Sequence, residues 1–232
     1  MKNFLIEILF PKFCLICKKE GGFLCKDCFS LIEIHSFAFC PVCQKRVLDF
    51  RTCKECKRKT NLSGLLFSTY YEKNKILKKL IDYFKYPPFV KDISKELSKI
   101  IISYLSLIEF NFPKNSLFVP VPLSKKRKKW RGFNQAEEIT KELSKFYNIP
   151  LRNDLILKIK ETLPQVELSS KERKENIKGA FKLNENFSNE IKNKTIFIVD
   201  DISTTGTTLE EIALEIKKGN PKEIFGLVVA RG

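Results

Sequence analysis

Eight cysteines fall in the first quarter of the chain as four Cys-x-x-Cys pairs: Cys14/Cys17, Cys25/Cys28, Cys40/Cys43 and Cys53/Cys56. None follows Cys56. A Cys-x-x-Cys turn places two thiolates on one side of a metal, and two such turns complete a tetrahedral four-sulfur site. Zn²⁺ suits that donor set, because it demands nothing beyond the tetrahedron and has no redox chemistry. The pairs are separated by seven, eleven and nine residues. Consecutive pairing is expected, with Cys14, Cys17, Cys25 and Cys28 on one ion and Cys40, Cys43, Cys53 and Cys56 on a second. A cross-braced arrangement satisfies the spacing as well, and an iron–sulfur cluster uses the same ligands. Four sulfurs leave no open position, so the sites read as structural rather than catalytic. His35, between the two sets, then has no ligand vacancy to fill and reads as a solvent or hinge residue.

The formal charge is +16, from 43 Lys and Arg against 27 Asp and Glu. Eight thiolates against two divalent ions would remove four charges and leave +12, so the surface stays cationic. Such a field favours polyanions: nucleic acid, polyphosphorylated nucleotides or an anionic membrane face. Lys45, Arg46, Arg51, Lys54, Lys57, Arg58 and Lys59 around the later cysteines read equally as a nucleic-acid contact or a solvated face. The apolar run Phe4–Phe10 is interrupted by Glu7 and is too short for a secretory signal. The stretch Ile100–Phe112 is too short to cross a bilayer. The expected location is cytoplasmic, with room for peripheral contact at the inner face of the membrane. Thiols stay reduced there, which favours metal ligation over disulfides.

Two domains are expected, a cysteine-rich head over 1–62 and an α/β domain over 63–232, joined at the polar segment Thr60–Gly64. Leu65–Tyr71 reads as a strand. Ile76, Leu77, Leu80, Ile81 and Phe84 recur at helical spacing until Pro87–Pro88, and Ile93, Leu97, Ile100, Ile101, Tyr104 and Ile108 mark a second helix. Beyond Pro113, strands at Ser116–Val121, Leu155–Ile159, Thr195–Val199 and Ile224–Val229 alternate with helices. One helix is capped by Asn134 with Glu137 and has Ala136, Ile139, Thr140, Leu143, Phe146 and Tyr147 facing inward. Another opens with a Thr207/Glu210 capping box. Alternation of this kind implies a mostly parallel sheet with helices on both faces.

The segment Ile196–Thr208 carries the chemistry. An apolar strand delivers Asp200 and Asp201 to its C-terminal end, where open α/β sheets bind ligands. Ser203, Thr204, Thr205, Gly206, Thr207 and Thr208 then make a small-residue turn into a helix. Its backbone N–H groups and hydroxyls suit a phosphate monoester. The adjacent carboxylates suit a ribose diol and a Mg²⁺ that neutralises a pyrophosphate. Upstream, Lys125, Lys126, Arg127, Lys128, Lys129, Trp130 and Arg131 combine cations with an aromatic platform, a pattern that suits single-stranded nucleic acid.

Ile196–Thr208 resembles the phosphoribosyl pyrophosphate (PRPP) motif of type I phosphoribosyltransferases. Three further features join it: Val119–Leu123 leading through the basic run into Gly132-Phe-Asn-Gln135, the later Thr162-Leu-Pro-Gln165 with Arg173, Asn176 and Gly179-Ala-Phe181, and the four cysteine pairs in front. Their order resembles the ComF family of bacterial competence proteins over nearly the whole chain. The resemblance implies a zinc-ribbon head on a type I phosphoribosyltransferase-like domain and a role in DNA uptake during natural transformation. It implies that Asp200 and Asp201 are catalytic residues contacting the ribose and that Ser203–Thr208 bind the 5′-phosphate. The loop after Leu123 would lie near the pyrophosphate, and Glu161–Asn176 would be a mobile covering loop. Implied partners are single-stranded DNA, PRPP with Mg²⁺, and a helicase or translocase of the uptake machinery. The alternative is an active Mg²⁺-dependent phosphoribosyltransferase with an unknown acceptor, for which no base-binding hood is recognisable. Lys stands at several basic positions where the family commonly has Arg, which removes bidentate phosphate contacts there.

Overall fold

The computed structural model describes residues 11–162 and 170–232, without the side chains of Ser170, Lys171 and Arg173. The segment Met1–Phe10, read above for a signal, lies outside the described residues. Among the described residues the head holds a short helix, α1 (Lys26–Phe29), and a two-stranded ribbon, β1 (Ala38–Phe39) with β2 (Arg46–Val47). The chain then runs through β3 (Gly64–Tyr70), α2 (Lys75–Lys85), α3 (Ile93–Leu107), β4 (Ser116–Pro120), α4 (Lys125–Arg131), α5 (Gln135–Tyr147) and β5 (Ile156–Lys158). It ends with α6 (Ser170–Ile177), β6 (Phe181–Leu183), β7 (Thr195–Ser203), α7 (Thr207–Lys217) and β8 (Glu223–Arg231). Four strands form one parallel sheet in the order β3-β8-β7-β4.

Both faces of this sheet are covered, as the apolar runs require. Side chains alternate across a strand, and two clusters result. Leu66, Phe118, Phe197, Val199, Leu227 and Val229 pack with α2, α3 and α5, whereas Leu65, Phe67, Val119, Ile196, Ile198 and Val228 pack with α7 and the β5–β6 ribbon. The expected strand Leu155–Ile159 is shorter and stands apart: β5 pairs antiparallel with β6 outside the main sheet. A short apolar run gives no hint of its partner. Phe146, expected to face inward on α5, is 62% exposed.

The head is fastened to the sheet rather than hung from a linker. Cys14, Leu15, Leu24, Cys28 and Ile32 belong to the same buried cluster as α2 and α3. Ser63 N–H donates to Ile224 O at 2.6 Å, and Arg231 donates to Pro41 O at 3.1 Å. Gly64 is required where it stands, because a Cβ there would meet Phe50 O at 2.1 Å. His35 is half-buried among aromatic rings and lies outside both cysteine clusters. Its ring sits 4.4 Å from Phe67 and 5.4 Å from Tyr104, and burial pushes its pKa down.

The Thr207/Glu210 capping box does not form. The N-cap of α7 is Gly206, with φ of +77°, and no side chain caps the helix. Glu210 turns instead to the polar segment after the last cysteine, accepting from Asn61 N–H at 2.8 Å, from Asn61 Nδ2 at 2.6 Å and from the Thr60 hydroxyl. Glu210→Ala is therefore expected to cost about 2 kcal/mol, the scale of hydrogen bonds to a charged group, read as a lower melting temperature. An unchanged melting curve would mean that these contacts are not holding the segment in place. Asn134 does stand at the start of α5, but its amide donates to Val121 O at 3.0 Å, and Glu137 pairs with Lys128 and Lys141.

Candidate functional site

Two cysteine clusters form in consecutive order. Cys14, Cys17, Cys25 and Cys28 bring their sulfurs within 4.8 Å of one another, and so do Cys40, Cys43, Cys53 and Cys56. Cross-bracing is thereby excluded. Bonds of about 2.3 Å in a tetrahedral four-sulfur site place sulfurs roughly 3.8 Å apart. Cys17 and Cys25 stand at 3.5 Å, and Cys43 and Cys53 at 3.7 Å. The donor set and spacing thus fit structural Zn²⁺. Burial pushes the Cys14 and Cys40 thiols up, but surrounding backbone N–H groups outweigh it and hold both down to about 6.

The second site lies at the C-terminal edge of the sheet. β7 does not stop before the aspartates; it continues through Ser203, so both are strand residues, with Asp200 paired to Val228 of β8. The pleat sends them to opposite faces. Asp201, 4% exposed, turns towards α2, where Lys85 Nζ meets its carboxylate at 2.8 Å. Asp200 faces the turn and lines a small cleft with Ser203, Thr204, Thr205, Gly206, Thr207 and Thr208. Burial first, and the Asp201 charge second, push the Asp200 carboxyl up to about 8, against the pull of Lys85.

The small cleft fits a phosphate monoester on this structure's own terms. Gly206 takes the left-handed conformation that leaves the turn open, and a Cβ there would meet nothing. No side chain caps α7, and the N-terminus of a helix favours an anion. The Thr205 and Thr207 hydroxyls lie 3.0 Å apart at the same turn.

Adjoining the cleft is a cavity of about 830 Å³ lined by Asp200, Asp201 and Thr208 together with residues from the end of α2, from α4 and from the start of α5. The basic run is not a loop but the helix α4, and it divides. Lys126, Arg127, Trp130 and Arg131 line the cavity, whereas the exposed Lys125, Lys128 and Lys129 do not. Gln135, the last residue of the Gly132-Phe-Asn-Gln135 motif, also lines it, as do Lys85, Tyr86 and Lys158, which the sequence did not single out. Lys85 and Tyr86 stand just before Pro87–Pro88, which signalled only a helix stop. Burial, with the Arg127 charge adding, pushes Lys158 down to about 8, and its amine donates to Thr162 at 2.9 Å. Of the implied covering loop Glu161–Asn176, residues 163–169 lie outside the described residues, including Leu163-Pro-Gln165 of the motif, as does the Arg173 side chain. The remainder includes Glu161, Thr162 and Asn176, which line the cavity.

Residues 88–231 match the family model of the phosphoribosyl transferase domain, and residues 5–61 match that of the double zinc ribbon domain. The chain is 31% identical to competence protein ComFC of Streptococcus pneumoniae, over 92% of this chain and 91% of that one. It is 29% identical to competence protein F of Haemophilus influenzae, over 88% and 94%. It is 27% identical to the DNA utilization protein YhgH of Escherichia coli, over 82% and 88%.

Proposed function

Because the chain belongs to the ComF family of competence proteins, with a phosphoribosyltransferase domain behind a double zinc ribbon, we propose that it serves DNA uptake in natural transformation. In this reading it binds single-stranded DNA and carries a PRPP site. The carrying observation is the small-residue turn Ser203–Thr208 beside Asp200, adjoining a cavity lined by Lys85, Lys126, Arg127, Arg131 and Lys158. The 5′-phosphate would rest on the turn, the ribose hydroxyls on Asp200 and Asp201, and the pyrophosphate against Arg127 and Lys126. Mg²⁺, when bound, would neutralise the pyrophosphate, with Asp200 and Asp201 as its protein contacts. The two zinc ions would hold the head over 1–62 on the domain over 63–232.

Single-stranded DNA would follow the outward lysines of α4, with Trp130 and Arg131 at the rim. The same surface suits a helicase or translocase that hands over the strand. Among the described residues no helix is long and apolar enough to cross a membrane. A cytoplasmic position, with peripheral contact through the cationic surface, agrees with cysteines gathered as two metal-ligand sets. Turnover as a Mg²⁺-dependent phosphoribosyltransferase is the second reading. Its favouring observation is the size of the cavity, near the upper end of the roughly 300–1,000 Å³ of small-molecule sites.

Titration with labelled single-stranded DNA at several salt concentrations, with and without Mg²⁺ and PRPP, tests the proposal. Single-strand binding should weaken with salt, and Lys125→Ala, Lys128→Ala and Lys129→Ala together should flatten the logarithmic slope by about 2, at roughly 0.7 per phosphate contact. A change on adding PRPP would tie the two sites together. No binding even at low salt would sink the nucleic-acid part of the proposal.

A further inference from the structure

We infer that Arg231 is a positioning residue that ties the second cysteine cluster to the turn Ser203–Thr208, so that zinc at this cluster governs affinity for a 5′-phosphate. The inference rests on the phosphate position proposed above. At the C-terminal edge of the sheet Arg231 pairs with Ser203 of β7 on one side and with Tyr70 of β3 on the other. Its carbonyl accepts from Tyr71 N–H at 2.8 Å. One residue on, Gly232 N–H donates to Ser203 O at 3.1 Å. A Cβ on Gly232 would stand 3.1 Å from Thr204 Cγ2, so this end of β8 lies against the turn itself. The backbone at Arg231 is therefore the shoulder from which the turn springs.

The side chain reaches the other way, into the head. Arg231 is 7% exposed, and its guanidinium donates at 3.1 Å to the carbonyl of Pro41, inside the Cys40/Cys43 turn. The guanidinium also lies over the Phe67 ring at 6.0 Å, and Phe67 meets Phe39 of β1 at 5.8 Å. A cation so buried is costly unless an opposite charge accompanies it. Four thiolates around one divalent ion leave an excess of negative charge, and Cys40 is within electrostatic reach of Arg231.

One side chain thus spans from a zinc turn to the strand end that carries the phosphate turn. With the metal bound, Cys40 and Cys43 are closed around Pro41, and its carbonyl has a fixed place. Without the metal nothing closes that turn, and Arg231 loses its anchor. The first cluster packs instead with α2 and α3. Phosphate recognition by backbone N–H groups needs placement to about 0.5 Å, so a small shift at Ser203 is enough to weaken it.

Ribose 5-phosphate and Mg²⁺·pyrophosphate are titrated separately, by calorimetry, into the full-length zinc-loaded protein, Arg231→Met, Cys43→Ser and the double variant. Ribose 5-phosphate reads the turn, whereas pyrophosphate reads the positions against Lys126 and Arg127. Arg231→Met should keep both zinc ions, weaken ribose 5-phosphate about tenfold and leave pyrophosphate affinity unchanged. Cys43→Ser, at an exposed position outside the apolar core, should lose the second zinc and weaken ribose 5-phosphate by a similar factor. The double variant should bind no worse than either single one, because both remove the same link. Unchanged ribose 5-phosphate affinity in the single variants overturns the inference and leaves the phosphate site standing. Losses that multiply in the double variant also overturn it, as does equal weakening of both ligands, the mark of a general loosening of the fold. If the parent protein binds no ribose 5-phosphate, the phosphate position itself falls and the inference with it.

Discussion

Asp200→Asn is expected to weaken Mg²⁺·PRPP binding by about a hundredfold or more, because a carboxylate is replaced by a neutral amide where ribose and cation would meet. The same substitution should not unfold the protein. In the free protein the Asp200 carboxyl has its pKa raised to about 8 by burial and by Asp201. The folded state then holds a proton that the unfolded chain has already released at neutral pH. Stability contributed by that group is complete below the ordinary carboxylate range and is lost as pH rises towards about 8. Asp200→Asn removes this loss, so the variant should melt at or above the parent at pH 8 while failing to bind PRPP.

Asp201→Asn should behave differently. It leaves the Lys85 ammonium, 2.8 Å from the carboxylate it now faces, without a charged partner, and should lower the melting temperature. Calorimetry with thermal melts at pH 6 and pH 8 separates the two variants. Equal melts and equal PRPP affinities would contradict the division of labour between the two acids.

Cys14→Ser carries the second large effect. Cys14 is fully buried, and its knuckle shares one apolar cluster with α2, α3 and the sheet. Losing that zinc withdraws a folding constraint, since binding free energy at structural zinc sites is folding free energy. Zinc content should fall from two ions per chain towards one, with a large drop in melting temperature and soluble yield. Cys43→Ser should also cost one zinc, but with a smaller drop, because Cys43 is exposed and the second cluster contributes none of its cysteines to that core. Elemental analysis beside a melting curve reads both. Near-zero zinc in well-folded parent protein would contradict the account of the head.

Much of this architecture is local and therefore legible from sequence. Four Cys-x-x-Cys turns announce two metal sites, and Ile196–Val199 announces a buried parallel strand because both of its faces are covered. The turn Ser203–Thr208 is readable because small residues are what an anion-binding turn needs. Tertiary contacts are not readable in this way. Glu210 stands where a capping box would use it, but Thr60 and Asn61, about 150 residues away, claim its carboxylate. Nothing near Lys85 in sequence points to Asp201. The run Lys125–Arg131 shows its charge plainly, but only the helix it adopts decides which side chains face the cavity.

The most direct test of the central assignment is a calorimetric titration of the zinc-loaded protein with PRPP, with and without Mg²⁺. The account predicts one site per chain, binding strengthened by Mg²⁺ and lost in Asp200→Asn. Absence of binding at millimolar PRPP, or binding that Asp200→Asn leaves unchanged, would contradict the placement of the site at the end of β7.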